Sequence, residues 1–229
     1  MRALHIKLLN QPQAYAPIWE AMRNFTERRA SSSTSLPDEI WLLEHDPVFT
    51  LGQAGKPEHI LNPRNIPIVH CDRGGQVTYH GPGQLMVYTL IDLKSLGLAT
   101  NEFVHKLENC VIDYLQTLSL TATAKPEAPG VYIDSAKICS IGLRVKKGFS
   151  YHGLAFNVNM DLSPFSYINP CGYTGLRMTQ LSHYSSVDLT QVIDGLMTTF
   201  KQNFGYNHFQ FTPLTLTELL NYDQQTTSV

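Results

Sequence analysis

The side chains best suited to covalent chemistry in this sequence are its cysteines, and one of them stands apart. Cys71 and Cys139 fall in strand-like runs and Cys110 in a helical one, whereas Cys171 lies in Asn169-Pro170-Cys171-Gly172, a turn sequence of the kind that leaves side chains accessible. A free thiol is only a few per cent thiolate at neutral pH, so a nucleophilic cysteine needs a cation or a base beside it. Lys137 and the histidines are the candidates. In Ala136-Lys137-Ile138-Cys139-Ser140-Ile141-Gly142-Leu143-Arg144-Val145, regular strand alternation puts Lys137 on one face with Cys139, Ile141, Leu143 and Val145. Its ammonium then points toward the apolar side, where lost hydration depresses a lysine pKa and suits the group to proton transfer. The next strand repeats the pattern, with His152 beside Leu154, Phe156, Val158 and Met160. A histidine so placed is more commonly a hydrogen-bonded core residue than a catalyst.

The densest segment is Arg73-Gly74-Gly75-Gln76-Val77-Thr78-Tyr79-His80-Gly81-Pro82-Gly83-Gln84. Its glycines allow close approach of backbone to a ligand, and amides exposed there hold an anion or a carbonyl oxygen, with Arg73 adding a fixed charge. The same glycines equally serve a hairpin loop. No Gly-Lys-Ser/Thr follows and no G-x-G-x-x-G opens a helix, so the segment is neither a P-loop nor a dinucleotide fingerprint.

Several elements must position these groups. Tyr15, Ile18, Trp19, Met22 and Phe25 recur at helical spacing and predict a helix near 13–29, ended by the polar loop Ala30-Ser31-Ser32-Ser33-Thr34-Ser35. Strands are predicted at 39–44, 48–51, 66–71, 77–80 and 84–92, then at 130–133, 137–145 and 151–160, the last two joined by a turn at Lys146-Lys147-Gly148. Phe103, Val104, Leu107, Val111, Tyr114, Leu115 and Leu118 mark a second helix that Thr100 or Asn101 caps. A third follows Ser185-Ser186, with Asp188 placed to complete a capping-box-like start, and a short helix near 215–221 closes the chain. Runs of strands between helices predict an α+β fold.

Composition narrows the roles left open. Charged residues are 16% of the 229 and the formal net charge is −2, so no global basic footprint for nucleic acid or membrane exists. No apolar run is long enough to span a bilayer, and Met1–Lys7 is not followed by the apolar stretch of a secretory signal. The expectation is a cytoplasmic protein of one catalytic domain, 1–229, with free thiols. The cysteine spacing fits no zinc site, so no metal is expected.

Taken together, Arg73–Gln84, Lys137-Ile138-Cys139-Ser140-Ile141-Gly142, His152-Gly153-Leu154-Ala155-Phe156-Asn157-Val158 and Pro170-Cys171-Gly172 resemble the lipoyl(octanoyl) transferase family, in that family's order and spacing, to about residue 205. The resemblance implies the α/β sandwich of biotin and lipoate ligase catalytic domains, a mostly antiparallel sheet with helices on its outer face. It implies transfer of an octanoyl group from octanoyl-acyl carrier protein to a lysine of lipoyl domains of 2-oxoacid dehydrogenases and glycine cleavage protein, the first step of endogenous lipoate synthesis, without a cofactor. By motif, Cys171 is the acyl-thioester nucleophile and Lys137 activates it and shuttles protons. Arg73, Gly74, Gly75, Gln76, Val77, Thr78, Tyr79 and His80, with Ser140, Ile141, Gly142, Gly153, Leu154 and Ala155, line the acyl site. Three other readings stay open from the sequence: an ATP-dependent ligase of related fold, a cysteine hydrolase using His80 or His152, and a non-catalytic acyl-binding module.

Overall fold

The apolar periodicities resolve, in a computed structural model that describes residues 3–32 and 36–225, into alternating strands and helices. In chain order they are β1 (Ala3–Leu8), α1 (Tyr15–Ser31), β2 (Asp38–Leu43), β3 (Val48–Leu51), β4 (Ile68–His70), β5 (Val77–His80), β6 (Gln84–Leu90), α2 (Leu93–Leu96) and α3 (Thr100–Thr117). There follow β7 (Thr123–Ala124), β8 (Gly130–Ile133), β9 (Ala136–Lys146), β10 (Phe149–Asn157), α4 (Leu189–Phe204), β11 (His208–Pro213) and α5 (Leu216–Gln225). The strands β1 and β11, the two-residue β7 and the single-turn α2 were not among the predicted elements.

Helix ends follow local chemistry. At α4 a capping box forms, but Asp188 opens it rather than completing one begun at Ser185-Ser186: its carboxylate accepts from the Gln191 amide at 2.8 Å while the Gln191 side chain accepts from Asp188 N–H at 2.9 Å. At α3 the expected cap moves by one residue. Thr100 is already helical, and Glu102 reaches back to accept the Ala99 amide at 2.8 Å. The first helix runs through Ser31, into the polar stretch expected to end it, and Ser33–Ser35 of that stretch lie outside the described residues. Lys147 and Gly148, with φ of 54° and 95°, make the two-residue β9–β10 hairpin turn whose twist matches its strands.

Eight strands form one sheet in the order β11-β1-β2-β6-β10-β9-β8-β7. Only the β11-β1 and β1-β2 pairs are parallel, so the sheet is mostly antiparallel as expected. Helices cover both of its faces rather than one outer face. On one face Phe103, Leu107 and Val111 of α3 and Val192, Leu196 and Phe200 of α4 pack with Ile40, Val87 and Phe156. On the other, Ile18, Met22 and Phe25 of α1 and Leu219 of α5 pack with Trp41, Met86 and Tyr88. Each such fully buried apolar side chain contributes roughly 1.5–3 kcal/mol by leaving water. A second sheet, β4-β3-β5, has its own small core of Phe49, Val77, Tyr79 and Phe165. It carries the glycine-rich segment on its β5 end and holds it over the large sheet.

Candidate active site

The site begins where the large sheet loses a strand. The last β8–β9 pair is Gly130 opposite Ser140, and among the described residues no strand pairs with that edge of β9 from Ile141 onward. The Arg73–Gln76 loop lies there instead, and the Gly74 amide donates to the Leu143 carbonyl at 2.9 Å. A cleft of about 340 Å³ opens between this loop, β9, β10, the first turn of α3 and the segments around Pro129 and Cys171, within the usual size of a small-ligand site.

Cys171 and Lys137 meet at one end of the cleft. Lys137 Nζ donates to Cys171 Sγ at 3.2 Å and to the Pro129 carbonyl at 3.0 Å, and it sits 5.2 Å from the centre of the Tyr132 ring. The lysine is 1% exposed, while Cys171 is half-buried at the mouth. Backbone ties hold them together across 34 residues of sequence: Lys137 N–H donates to Arg177 O, and Thr179 N–H donates to Lys137 O. Cys171 itself sits at φ 56°, ψ 15°, a left-handed conformation that costs a non-glycine residue on the order of 1–3 kcal/mol and here aims the sulfur at the ammonium.

Two sequence expectations about Lys137 are corrected. Its register partner is Tyr132, while Val131 pairs with Cys139, so Ile138 is an extra residue in the ladder. This bulge reverses the side-chain parity before it. Lys137 therefore lines the cleft with Ser140 and shares its face with its register partner Tyr132, while Ile138 and Cys139 both turn into the core. The second correction concerns its pKa. Burial pulls it down, but the Cys171 sulfur and the Tyr132 oxygen outweigh that and hold the ammonium above the ordinary lysine value. The other thiols differ. Burial pushes Cys110 and Cys139 far up and keeps them protonated, and Cys71 is buried against the Leu51 carbonyl.

Of the predicted lining residues, Gly74, Gly75, Gln76, Val77, Thr78, His80, Ser140, Ile141, Gly142, Gly153, Leu154 and Ala155 border the cleft, as does Arg73. Arg73 does not present a free charge. Its guanidinium donates to Thr50 O, Thr50 Oγ1, Gly74 O and Gln76 O, so it shapes the glycine loop from within. Tyr79 does not reach the cleft. Its ring packs against Phe49 and Phe165 in the small-sheet core, on the face opposite Thr78 and His80. His80 is locked between Gln84 Oε1 at 2.8 Å and Thr50 Oγ1 at 3.1 Å, and burial holds its pKa well below the ordinary value.

His152 also lines the cleft, by a route alternation does not predict. At φ 59° its ring turns away from the Leu154 and Phe156 face, stacks on Tyr151 at 5.1 Å and meets the edge of Tyr88. Its Nε2 bonds Asp72 Oδ1 at 3.0 Å, and Asp72 also accepts from Trp19 Nε1 at 2.7 Å and from the Tyr151 hydroxyl. Burial opposes ionisation of Asp72, but these three donors hold its carboxyl well below the usual carboxylate range. Burial outweighs the pull of Asp72 on His152 and keeps the imidazole neutral. Neither His80 nor His152 contacts the thiol through any hydrogen bond, so a cysteine–histidine pair is not formed. Sequence reasoning passed over Tyr15, Tyr88, Thr100, Pro129 and Tyr173, which also line the cleft. Tyr173 O–H donates to Glu127 O at 2.8 Å and stitches the Cys171 turn to the segment before β8. Only long-range packing joins these residues, and no local motif marks them.

Residues 15–201 match the lipoyl protein ligase A/B catalytic domain family. The chain is 61% identical over 194 residues to an octanoyltransferase of Coxiella burnetii, covering 84% of this chain and 79% of that protein. It is 55% identical to an octanoyltransferase of Pseudomonas fluorescens over 84% of this chain and 89% of that one. Among solved structures, lipoate-protein ligase A bound with ATP superposes with a TM-score of 0.70 at 17% identity, over 98% and 92% of the two chains. A bi-partite lipoate protein ligase from Thermoplasma acidophilum gives 0.70 at 17% identity, over 96% and 91%. At those identities the likeness is one of fold.

Proposed function

We propose, for a chain that belongs to the lipoyl protein ligase A/B catalytic domain family, that the octanoyl transfer it catalyses in lipoate biosynthesis runs through a thioester on Cys171, with Lys137 moving the protons. The observation that carries this reading is the 3.2 Å contact between Lys137 Nζ and Cys171 Sγ at the mouth of an apolar-walled cleft. In the resting pair the ammonium stabilises the thiolate. Cys171 Sγ attacks the carbonyl carbon of octanoyl-acyl carrier protein, the bond to the carrier sulfur breaks, and the departing thiolate takes a proton from Lys137. One thioester replaces another, so the step is nearly isoenergetic and needs no ATP.

Acylation removes the negative charge that held Lys137 protonated, leaving the burial that favours its neutral amine. A neutral Lys137 is then the base for the second half. The acceptor lysine of a lipoyl domain attacks the Cys171 thioester, its proton passes to Lys137 Nζ, and Cys171 leaves as the thiolate beside the restored ammonium. Acceptors of this kind are the lipoyl domains of 2-oxoacid dehydrogenases and the glycine cleavage protein, and the setting is cytoplasmic. Each carbonyl passes through an oxyanion. Alternate peptide groups of a strand point the same way, so the Ile141 amide faces the edge that exposes the Leu143 carbonyl, beside the amides of the glycine loop. A donor of this kind is worth about 3–4 kcal/mol to a developing oxyanion. The eight-carbon tail lies along Val77, Ile141, Leu143 and Leu154.

Intact-mass measurement after mixing with octanoyl-acyl carrier protein tests the reading. One octanoyl group should appear on the wild-type chain and map to Cys171, and disappear when a lipoyl domain is added. An adduct elsewhere, or none, rejects it. ATP–pyrophosphate exchange in the presence of octanoate should be absent, which separates this mechanism from that of a ligase.

A further inference from the structure

Glu108 lies on α3, remote from the reacting atoms and 3% exposed, yet it is tied to the site by a single peptide group. Its Oε1 accepts the Gly130 N–H at 2.9 Å. The same peptide unit contributes the Pro129 carbonyl that accepts from Lys137 Nζ at 3.0 Å. In a planar trans peptide the N–H and C=O point in opposite directions, so fixing one fixes the aim of the other. Held from behind by a carboxylate, the Pro129–Gly130 peptide directs its oxygen at the ammonium, and polarisation through the amide strengthens that oxygen as an acceptor. We propose that Glu108 is a positioning residue for Lys137, acting through this peptide to set the ammonium against Cys171.

The surroundings are built for that task. Gly130 has φ 137°, outside the range of L side chains, and a Cβ there would lie 2.4 Å from the Cys139 carbonyl oxygen and 3.2 Å from Lys137 Cε. The strand can therefore bring its backbone against the lysine stem, but only with a residue that has little conformational preference of its own. The Glu108 bond supplies the missing constraint. The other carboxylate oxygen, Oε2, is paired with His105 Nδ1 at 3.0 Å, and the His105 side chain is 60% exposed. Both oxygens of Glu108 are thus engaged, one toward solvent and one toward the site.

The inference rests on the thioester mechanism above, and its test separates the two. Rates of Cys171 acylation by octanoyl-acyl carrier protein are measured by rapid-quench mass spectrometry for the full-length chain and for Glu108→Gln, Glu108→Met and Glu108→Ala. Glutamine keeps an oxygen for the Gly130 amide, methionine keeps the volume without the acceptor, and alanine removes both. Acylation should fall about 10–100-fold in Glu108→Met and Glu108→Ala, with the donor concentration for half-maximal rate unchanged, and recover to within a few-fold in Glu108→Gln. Alkylation of Cys171 by iodoacetamide, which needs neither substrate, should slow in the same order. It also reports on any variant whose fold is weakened, through the coincident loss of protection of the buried thiols. A wild-type rate in Glu108→Met, or an equal loss in Glu108→Gln and Glu108→Met, overturns the proposal. Absence of any octanoyl adduct on the wild-type chain overturns the thioester mechanism instead.

Discussion

Two lysines of this protein are buried to nearly the same degree, and their surroundings show what separates a structural ammonium from a reactive one. Lys7, on β1, is 3% exposed and pairs with the Glu39 carboxylate at 2.8 Å, with the Phe25 and Trp41 rings 5.6 and 5.5 Å from its nitrogen. Lys137 is 1% exposed and pairs with a thiol on a strained turn at the rim of a cleft. Both side chains of the Lys7 pair are buried, and Trp41 Nε1–H donates to the Glu39 carboxylate at 2.7 Å. A carboxylate is a permanent partner at neutral pH. In the proposed mechanism acylation cancels the charge of a thiolate, so of the two lysines Lys137 is the one whose partner would lose its charge in the reaction. Burial by itself therefore does not single out Lys137; under the proposed mechanism a removable counter-charge beside the cleft does.

The largest expected effect breaks the reactive pair. Cys171→Ala should abolish the acyl adduct, and Lys137→Met should cut its rate by at least about 10³-fold, in the upper part of the range for a general acid–base group, while both variants keep the thermal midpoint within a few degrees. Near-normal transfer in either removes the assignment. The opposite signature is expected for the structural pair. Lys7→Met leaves the buried Glu39 side chain without its counter-ion and should cost about 3–5 kcal/mol in denaturant unfolding, with the folded fraction acylating at the wild-type rate. Lys7→Met/Glu39→Leu should regain most of that loss, because the desolvation cost disappears with the second charge.

The sequence announced Cys171 through its turn, and the glycine-rich segment through its composition. The long helices were legible because Ile18, Met22, Phe25 and Leu107, Val111, Leu115 repeat at a period that only a helix satisfies. The face of Lys137 was not legible. Alternation is a counting rule, and the bulge at Ile138 shifts the count by one without any glycine or proline at that residue to announce it. His152 departs from the rule through its own backbone, since φ 59° turns one side chain against the parity of its strand. In β1 the run Leu4-His5-Ile6-Lys7-Leu8 does alternate apolar and polar residues, a strand signal that was passed over; what the alternation does not foretell is that Lys7 is buried. Arg73 looked like an anion site because two of its four acceptors, Thr50 O and Thr50 Oγ1, come from β3, 23 residues away in sequence.

A smaller effect probes how tightly the reactive pair is framed. Gly130→Ala places a methyl group against the Cys139 carbonyl and the Lys137 stem, at a φ that alanine avoids. The strain should lower stability by about 1–3 kcal/mol and displace the ammonium enough to slow acylation roughly 10-fold or more. The corresponding change at Gly97, also at positive φ but with nothing within 4 Å of where its methyl group would stand, should cost stability alone. Acylation slowed equally by both substitutions would mean that general loosening, rather than the Lys137 contact, governs the rate.

The smallest expected effect concerns a third setting for a lysine, the solvent-exposed surface. Lys146 pairs with Glu27 at 2.7 Å with both side chains about half exposed, Arg144 reaches Gln53 Oε1 at 2.7 Å, and Lys147 sits in the hairpin turn beyond them. An exposed pair contributes no more than about 1 kcal/mol to a fold, and its long-range field is screened within roughly 10 Å at 0.1 M salt. These charges therefore matter for encounter rather than for structure. An acidic acyl donor approaching the end of β9 would be drawn in by them, so Arg144→Glu/Lys147→Glu should raise the KM for the carrier a few-fold at low ionic strength, leave the acylation rate at saturation unchanged, and lose its effect in high salt. Kinetics unchanged at low salt would show that the hairpin tip is only solvated. The partner would then have to be guided from the other rim of the cleft, where Tyr173 is exposed beside the nucleophile and offers apolar contact without charge.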